Sequence, residues 1–362
     1  MALDAAATTE APRPGTPRDE SVRLGDVLRS LVRWETGLVV LLVLVFGIGA
    51  RSSSEFLTNY NLETLCQNIG DIAILALPMT LIIIVGEIDL SVASILALAS
   101  EMLGYLTLHH WPLALIFVTV IVIGAAAGAL NGFLVTVVGL PSLAVTIGTL
   151  TLYRGLATVA LGPQTVSDYP TFWTNLGVDS FPGVPWMSWS VAIFIVLALV
   201  FGLVLHRTSL GRRLYAIGLN KDAAAHAGTR VGRVKWGLFV LSGVICAIVG
   251  IMYTFELDSA GENIGIGFEL QVVTIVLLGG VSIFGGRGTI LGVALAAFIY
   301  AGIHSVLLLS SGFNDQDFPI VSGGLLILSV LIQNAPSYVR RAREWGRRRQ
   351  ARRRSVRAEQ PG

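Results

Sequence analysis

Ten apolar stretches run along this chain, and they constrain its fold more than any short motif does. They lie near Trp34–Ala50, Ile69–Val85, Leu90–Leu108, Leu113–Val138, Ser142–Leu161, Met187–Leu205, Trp236–Phe255, Leu270–Phe284, Thr289–Leu309 and Phe318–Ile332. A bilayer core about 30 Å thick takes about 20 apolar residues in a helix. In hydrocarbon each backbone amide and carbonyl must find its partner within the protein, so spanning segments are helices or closed barrels. Runs of this length predict helices. The expected fold class is all-α, a polytopic membrane protein of about ten transmembrane helices. Composition agrees, with 54% hydrophobic and only 13% charged residues among 362, against about 25% charged in soluble domains.

Orientation follows from where the basic residues fall, because cytoplasmic loops carry an excess of Lys and Arg. With an even number of spans and the N-terminus inside, the inward segments are the N-terminal tail, a central loop Arg207–Lys235, the turn Gly285–Gly288 and the C-terminal tail. Those hold 23 of the 25 basic residues, and only Arg51 and Arg154 fall elsewhere. The outward loops carry acids instead, among them Asp168, Asp179, Asp258 and Glu262. The expected organisation is a cytoplasmic, partly disordered tail over 1–33, a transmembrane domain over 34–333 and a basic cytoplasmic tail over 334–362. No cleavable signal peptide is expected, since a long polar segment precedes the first apolar run. The arginines after the last span read as lipid-facing orientation signals, not as a nucleic-acid patch. The expected location is the bacterial cytoplasmic membrane, with both termini inside.

The central loop RTSLGRRLYAIGLNKDAAAHAGTRVGRVK carries seven basic residues and one acid, Asp222. It is too long for a simple turn and is helix-compatible around Asn220–Ala227, which makes it a candidate docking surface.

Other motifs each admit two readings. Gly86–Ser91, GEIDLS, places Asp89 and Ser91 where either could cap the next helix, while Glu87 lines a polar path or pairs with a cation, since acids at membrane depth are expensive and usually functional. Gly124, Gly128 and Gly132 form a small-xxx-small stripe that lets helices approach closely. Asn131 beside them either hydrogen-bonds across helices or faces the path. Arg154, well inside the fifth span, needs a partner, water or a route to the interface. Leu81–Ser91 and Thr274–Gly285 echo each other weakly, each an apolar run ending in Gly and a short turn, as in duplicated transporters.

Several chemistries find no support. Cys66 and Cys246 stand alone in apolar surroundings and read as small core residues. His109 and His110 have no metal spacing, and no metal site is expected. Gly279–Gly288 has five glycines but no GxxxxGK[ST], and neither Lys221 nor Lys235 follows a glycine. A nucleotide-hydrolysing P-loop is therefore absent, as are G-x-S-x-G and HExxH. No catalytic residue is assigned.

Four motifs in order resemble one family. GEIDLS, then Asn131–Ala157, Leu210–Gly243 and Glu269–Gly292, look like the permease subunits of bacterial sugar ABC importers, a family that includes ribose, xylose, arabinose, rhamnose and autoinducer-2 permeases. The resemblance runs from about Leu38 to Gln333. It departs where many members have two glycines before the Ile-Asp, because Glu87 stands at the second, and it leans toward rhamnose-type or autoinducer-2-type members. It implies a type II-like permease bundle that pairs with itself or a sister permease. It also implies ABC ATP-binding subunits that hold ATP and Mg, an extracytoplasmic sugar-binding protein, and no cofactor in this chain. Leu210–Val234 matches the family's coupling region, which marks Gly211, Arg212, Arg213, Tyr215, Ala216, Gly218, Asn220, Ala224 and Gly228 as the ATPase-coupling loop. Glu87, Asp89, Ser91, Asn131, Thr146 and Arg154 are candidates for the translocation path. The competing readings are an ion-coupled secondary transporter using Glu87, Asp89 or Arg154, an intramembrane enzyme, and a scaffold that only recruits cytoplasmic proteins.

Overall fold

The computed structural model describes residues 34–310 and 313–333, so the two tails fall outside the described residues. Each apolar stretch forms one helix: α1 Trp34–Ser52, α2 Asn59–Ile84, α3 Val92–Leu108, α4 Leu113–Thr136, α5 Ser142–Leu161, α7 Trp189–Arg207, α10 Val231–Glu256, α11 Phe268–Leu278, α12 Ile290–Leu308 and α13 Phe318–Gln333. Seven are long and apolar enough to cross a membrane, and α3, α11 and α13 are shorter. Three further helices lie between spans: α6 Thr171–Val178, α8 Ser209–Leu219 and α9 Lys221–His226. The expected eighth span, Leu270–Phe284, is corrected: its helix stops at Leu278, because Gly280, Gly285, Gly286 and Gly288 all take positive φ and form a turn.

The bundle is built around α2. Almost every residue from Leu65 to Ile84 is buried, Pro78 included, as expected of a helix that is apolar all round. It packs against α7, α10, α11 and α12, and α1 packs on the outside of α12. By contrast α1, α4, α5 and α7 leave wide apolar faces exposed, such as Val122, Phe133, Val159 and Leu199.

The glycine stripe of α4 forms the closest seam. A side chain at Gly124 would meet the Gly243 carbonyl of α10, one at Gly128 would meet the Phe239 carbonyl, and one at Gly132 would meet Trp236. On α10, Gly243 in turn faces the Gly124 carbonyl. Backbone-to-backbone approach of this kind supplies the van der Waals contact that joins helices where lipid removes the hydrophobic drive.

The two ends of the bundle differ. At one end α6 lies across α10, with Trp173 stacked on Phe255 at 5.8 Å and Val166 bridged to Ala260. At the other end α8 lies beside the α2–α3 turn and the α11–α12 turn, and α9 follows it. The two echoing sequence segments meet there, where the Gly286 amide donates to the Ile84 carbonyl at 2.8 Å.

Candidate functional site

The central loop forms two helices that meet at Asn220. Thr208 caps α8 by accepting from the Gly211 amide, and Asn220 closes α8 and caps α9, its Oδ1 accepting the amides of Asp222 and Ala223 at 3.0 Å. Helix α8 is amphipathic. Gly211, Leu214 and Ile217 are buried, while Arg212, Arg213 and Ala216 face outward.

The nine residues marked for the coupling loop therefore divide. Arg212, Arg213, Ala216, Asn220 and Gly228 are exposed. The other four fix the loop to the bundle. Gly211 sits against the Leu205 carbonyl, and Gly218 sits between the Ile84 carbonyl and the Gly286 amide, with no room for a side chain at either. The Tyr215 hydroxyl donates to the Gly288 carbonyl at 2.7 Å, and Ala224 is buried. Beyond α9, Lys235 forms an ion pair with Glu87 of the α2–α3 turn, both side chains mostly buried. Two residues at this end were not marked: Leu219, 68% exposed, and Phe284, 75% exposed. Their signal in the sequence is an apolar side chain set directly before a turn residue, Asn220 or Gly285.

The path candidates come together differently. Asp89, Ser91, Asn131 and Thr146 are all fully buried. Asp89 Oδ1 accepts from the Ser91 amide at 3.0 Å and from its hydroxyl at 2.6 Å, and Oδ2 accepts from Ser242 of α10 at 3.1 Å. The Asn131 amide donates to the Ser91 hydroxyl at 2.7 Å, and its carbonyl accepts from Tyr153 of α5 at 3.0 Å. Asp89 thus holds a local turn and also reaches across to another helix. Ser91 occupies the N-cap position of α3 but makes no side-chain cap bond. Thr146 donates to the Ile88 carbonyl at 3.3 Å, and Ser142 accepts the Ile88 amide, so α5 is pinned to the same turn. Tyr153 and Ser242 are network members that sequence reasoning missed, because Ser242 gives no motif and Tyr153 was overshadowed by Arg154.

Arg154 stands apart from this network. Its guanidinium donates to the Ile264 carbonyl at 2.6 Å, and the carboxylates of Glu269 and Glu101 lie close enough to act on its charge. Among the described residues no group of His, Cys, Asp and Glu could hold a metal ion.

Comparison with known proteins agrees with this architecture. Residues 61–330 match a family described as branched-chain amino acid transport system, permease component. Curated relatives include the autoinducer 2 import system permease protein LsrD of Yersinia enterocolitica, 32% identical over 87% of this chain and 96% of that protein. The proteins of the same name from Photorhabdus temperata, 32% identical over the same shares, and Salmonella paratyphi A, 31% identical over 87% of this chain and 96% of its own length, are similar. No solved structure gives a match. With the family covering three quarters of its length and full-length relatives covering more, the chain belongs to the permease-component family of ABC importers, the membrane-spanning part of a transport system whose ATPase is a separate subunit.

Proposed function

We propose that the protein imports a small polyhydroxylated solute of the autoinducer-2 or monosaccharide class, with α8–α9 as the surface that receives the motion of the ATP-binding subunits. The observation that carries this is the seating of Gly218 between the α2–α3 and α11–α12 turns, with Tyr215 bonded to Gly288. A push on the exposed face of α8 has no slack to absorb it, so it moves the ends of four helices together. Arg212 and Arg213, with the apolar Leu219 and Phe284, offer a partner both charge and an anchor.

In this reading both termini and α8–α9 are cytoplasmic, the transmembrane unit spans 34–333, and the tails 1–33 and 334–362 flank it. The partners are two ABC ATP-binding subunits that hold ATP and Mg, an extracytoplasmic binding protein that hands over the solute, and a second permease, with anionic lipid at the basic tail. The membrane is the bacterial inner membrane. The buried Asp89–Ser91–Asn131 network, with Thr146, joins α3, α4, α5 and α10 into one body, so these residues serve the path by transmitting movement and not by touching solute in this conformation. Glu87 links that body to the coupling loop through Lys235, and Arg154 holds the outward loop at Ile264.

The test is solute-stimulated ATPase activity of the reconstituted complex. Deleting Ala216–Ala227 abolishes the stimulation if α8–α9 couples the subunits, and unchanged stimulation overturns the assignment.

A further inference from the structure

A cavity of about 490 Å³ opens between the first turns of α2, the start of α11, the last turns of α12 and the start of α13. This end lies opposite α8–α9. Its size suits a small-molecule site, which usually occupies about 300–1,000 Å³. Its lining is mixed, with aliphatic and aromatic walls interrupted by neutral polar side chains. Asn61, Thr64, Asn68, Gln271, His304 and Ser305 contribute the polar groups, and among the described residues no Asp, Glu, Lys or Arg lines it. Two aromatic pairs form part of its wall, Tyr253 against Phe268 at 5.3 Å and Tyr300 against Phe318 at 5.1 Å.

The polar groups are not all occupied. Asn61 accepts from Ser305 and Tyr300 donates to Ser322. The side-chain amides of Asn68 and Gln271 have no hydrogen-bond partner among the described residues. Each offers two donors and an acceptor. Amides beside aromatic faces satisfy a molecule that carries hydroxyls on one edge and C–H groups on the other. An amino acid would bring an ammonium and a carboxylate, and among the described lining residues no Asp or Glu balances the ammonium, so its charge would be desolvated without a counter-charge.

We infer that this cavity is a solute subsite carried within a single permease subunit, selective for a neutral polyhydroxylated molecule over an amino acid. The inference rests on the importer reading and its orientation, which place the cavity on the side where solute arrives.

The experiment uses the permease with its ATP-binding subunits in nanodiscs and follows equilibrium binding of radiolabelled autoinducer 2, D-ribose, L-rhamnose and L-leucine. A polyol probe binds and L-leucine does not. The double substitution N68A/Q271L weakens that binding about tenfold, the loss of two neutral hydrogen bonds. Asn68 is exposed, so N68L alone leaves the fold intact and weakens binding about threefold. Unchanged binding in both variants overturns the site. A parallel uptake assay in cells separates the two claims: polyol uptake with unchanged binding in the variants sinks the subsite alone, whereas uptake of L-leucine and of no polyol sinks the polyhydroxylated-solute reading with it.

Discussion

Lys235 and Glu87, 148 positions apart in sequence, form an ion pair that ties the exit of the central loop to the α2–α3 turn. Both side chains are largely shielded, at 12% and 16% exposure. The pair therefore joins the surface proposed to receive the ATPase to the turn that carries Asp89 and Ser91.

Breaking this pair leaves a shielded charge without its partner. Glu87→Gln and Lys235→Met each destabilise the protein by about 1–3 kcal/mol, and the double-mutant cycle shows a coupling of about 1 kcal/mol or more. Unfolding in detergent measures both. The charge swap E87K/K235E restores part of the solute-stimulated ATPase activity lost in either single variant. Strictly additive single effects would mean that the two residues act independently.

The spans were legible in the sequence because each is one continuous apolar run, and length alone fixes helix in a bilayer. The loop helix α8 was not. Gly211 and Gly218 argue against a helix by propensity, yet both are there because backbone carbonyls lie where their side chains would be. The expected helix around Asn220–Ala227 caught α9, whose first turn Asn220 caps. The stripe of Gly124, Gly128 and Gly132 read correctly as a packing seam, since a four-residue period has a direct geometric meaning. The partner of Arg154 did not read at all, because a backbone carbonyl such as that of Ile264 leaves no residue-type signature. The Glu87–Lys235 pair was legible only in part: the acid needed a cation, and nothing in one sequence says which.

The seam makes its own prediction. Gly128→Leu drives a side chain into the Phe239 carbonyl and separates α4 from α10, lowering stability by about 2 kcal/mol or more, in the range of overpacked cores. Gly155→Leu, on the same bundle but at a glycine with open space around it, changes little. Thermal unfolding in detergent compares the two. Equal behaviour would remove the close-approach role assigned to Gly128.

The buried network discriminates shape from hydrogen bonding. Asp89→Asn retains an oxygen for Ser91 and a nitrogen that can donate to Ser242, so it costs less than about 1 kcal/mol. Asp89→Ala leaves the Ser91 amide and hydroxyl and the Ser242 hydroxyl without their acceptor and costs about 1–3 kcal/mol for the polar groups alone. Asn131→Leu behaves like the alanine variant, since it deprives Tyr153 of one acceptor and Ser91 of its donor. The order of denaturation midpoints across the three variants checks this.

Gly218 offers the sharpest test of coupling, because it separates assembly from transmission. Its α-carbon faces the Ile84 carbonyl and the Gly286 amide, while the exposed Arg212, Arg213 and Ala216 lie on the other side of α8. Gly218→Val pushes α8 off both turns without altering that outer surface. The variant inserts in the membrane and still captures the ATP-binding subunits in pull-down, but its solute-stimulated ATPase activity falls about tenfold or more, the effect of about 1.4 kcal/mol. Arg212→Glu with Arg213→Glu gives the opposite pattern: the contacts of α8 with the bundle persist, and capture weakens, more so at low salt, where charge reversal acts over a longer range. If Gly218→Val keeps full stimulation, the two turns are not the route by which α8 moves the spans, and the tight seating of Gly218 serves packing alone.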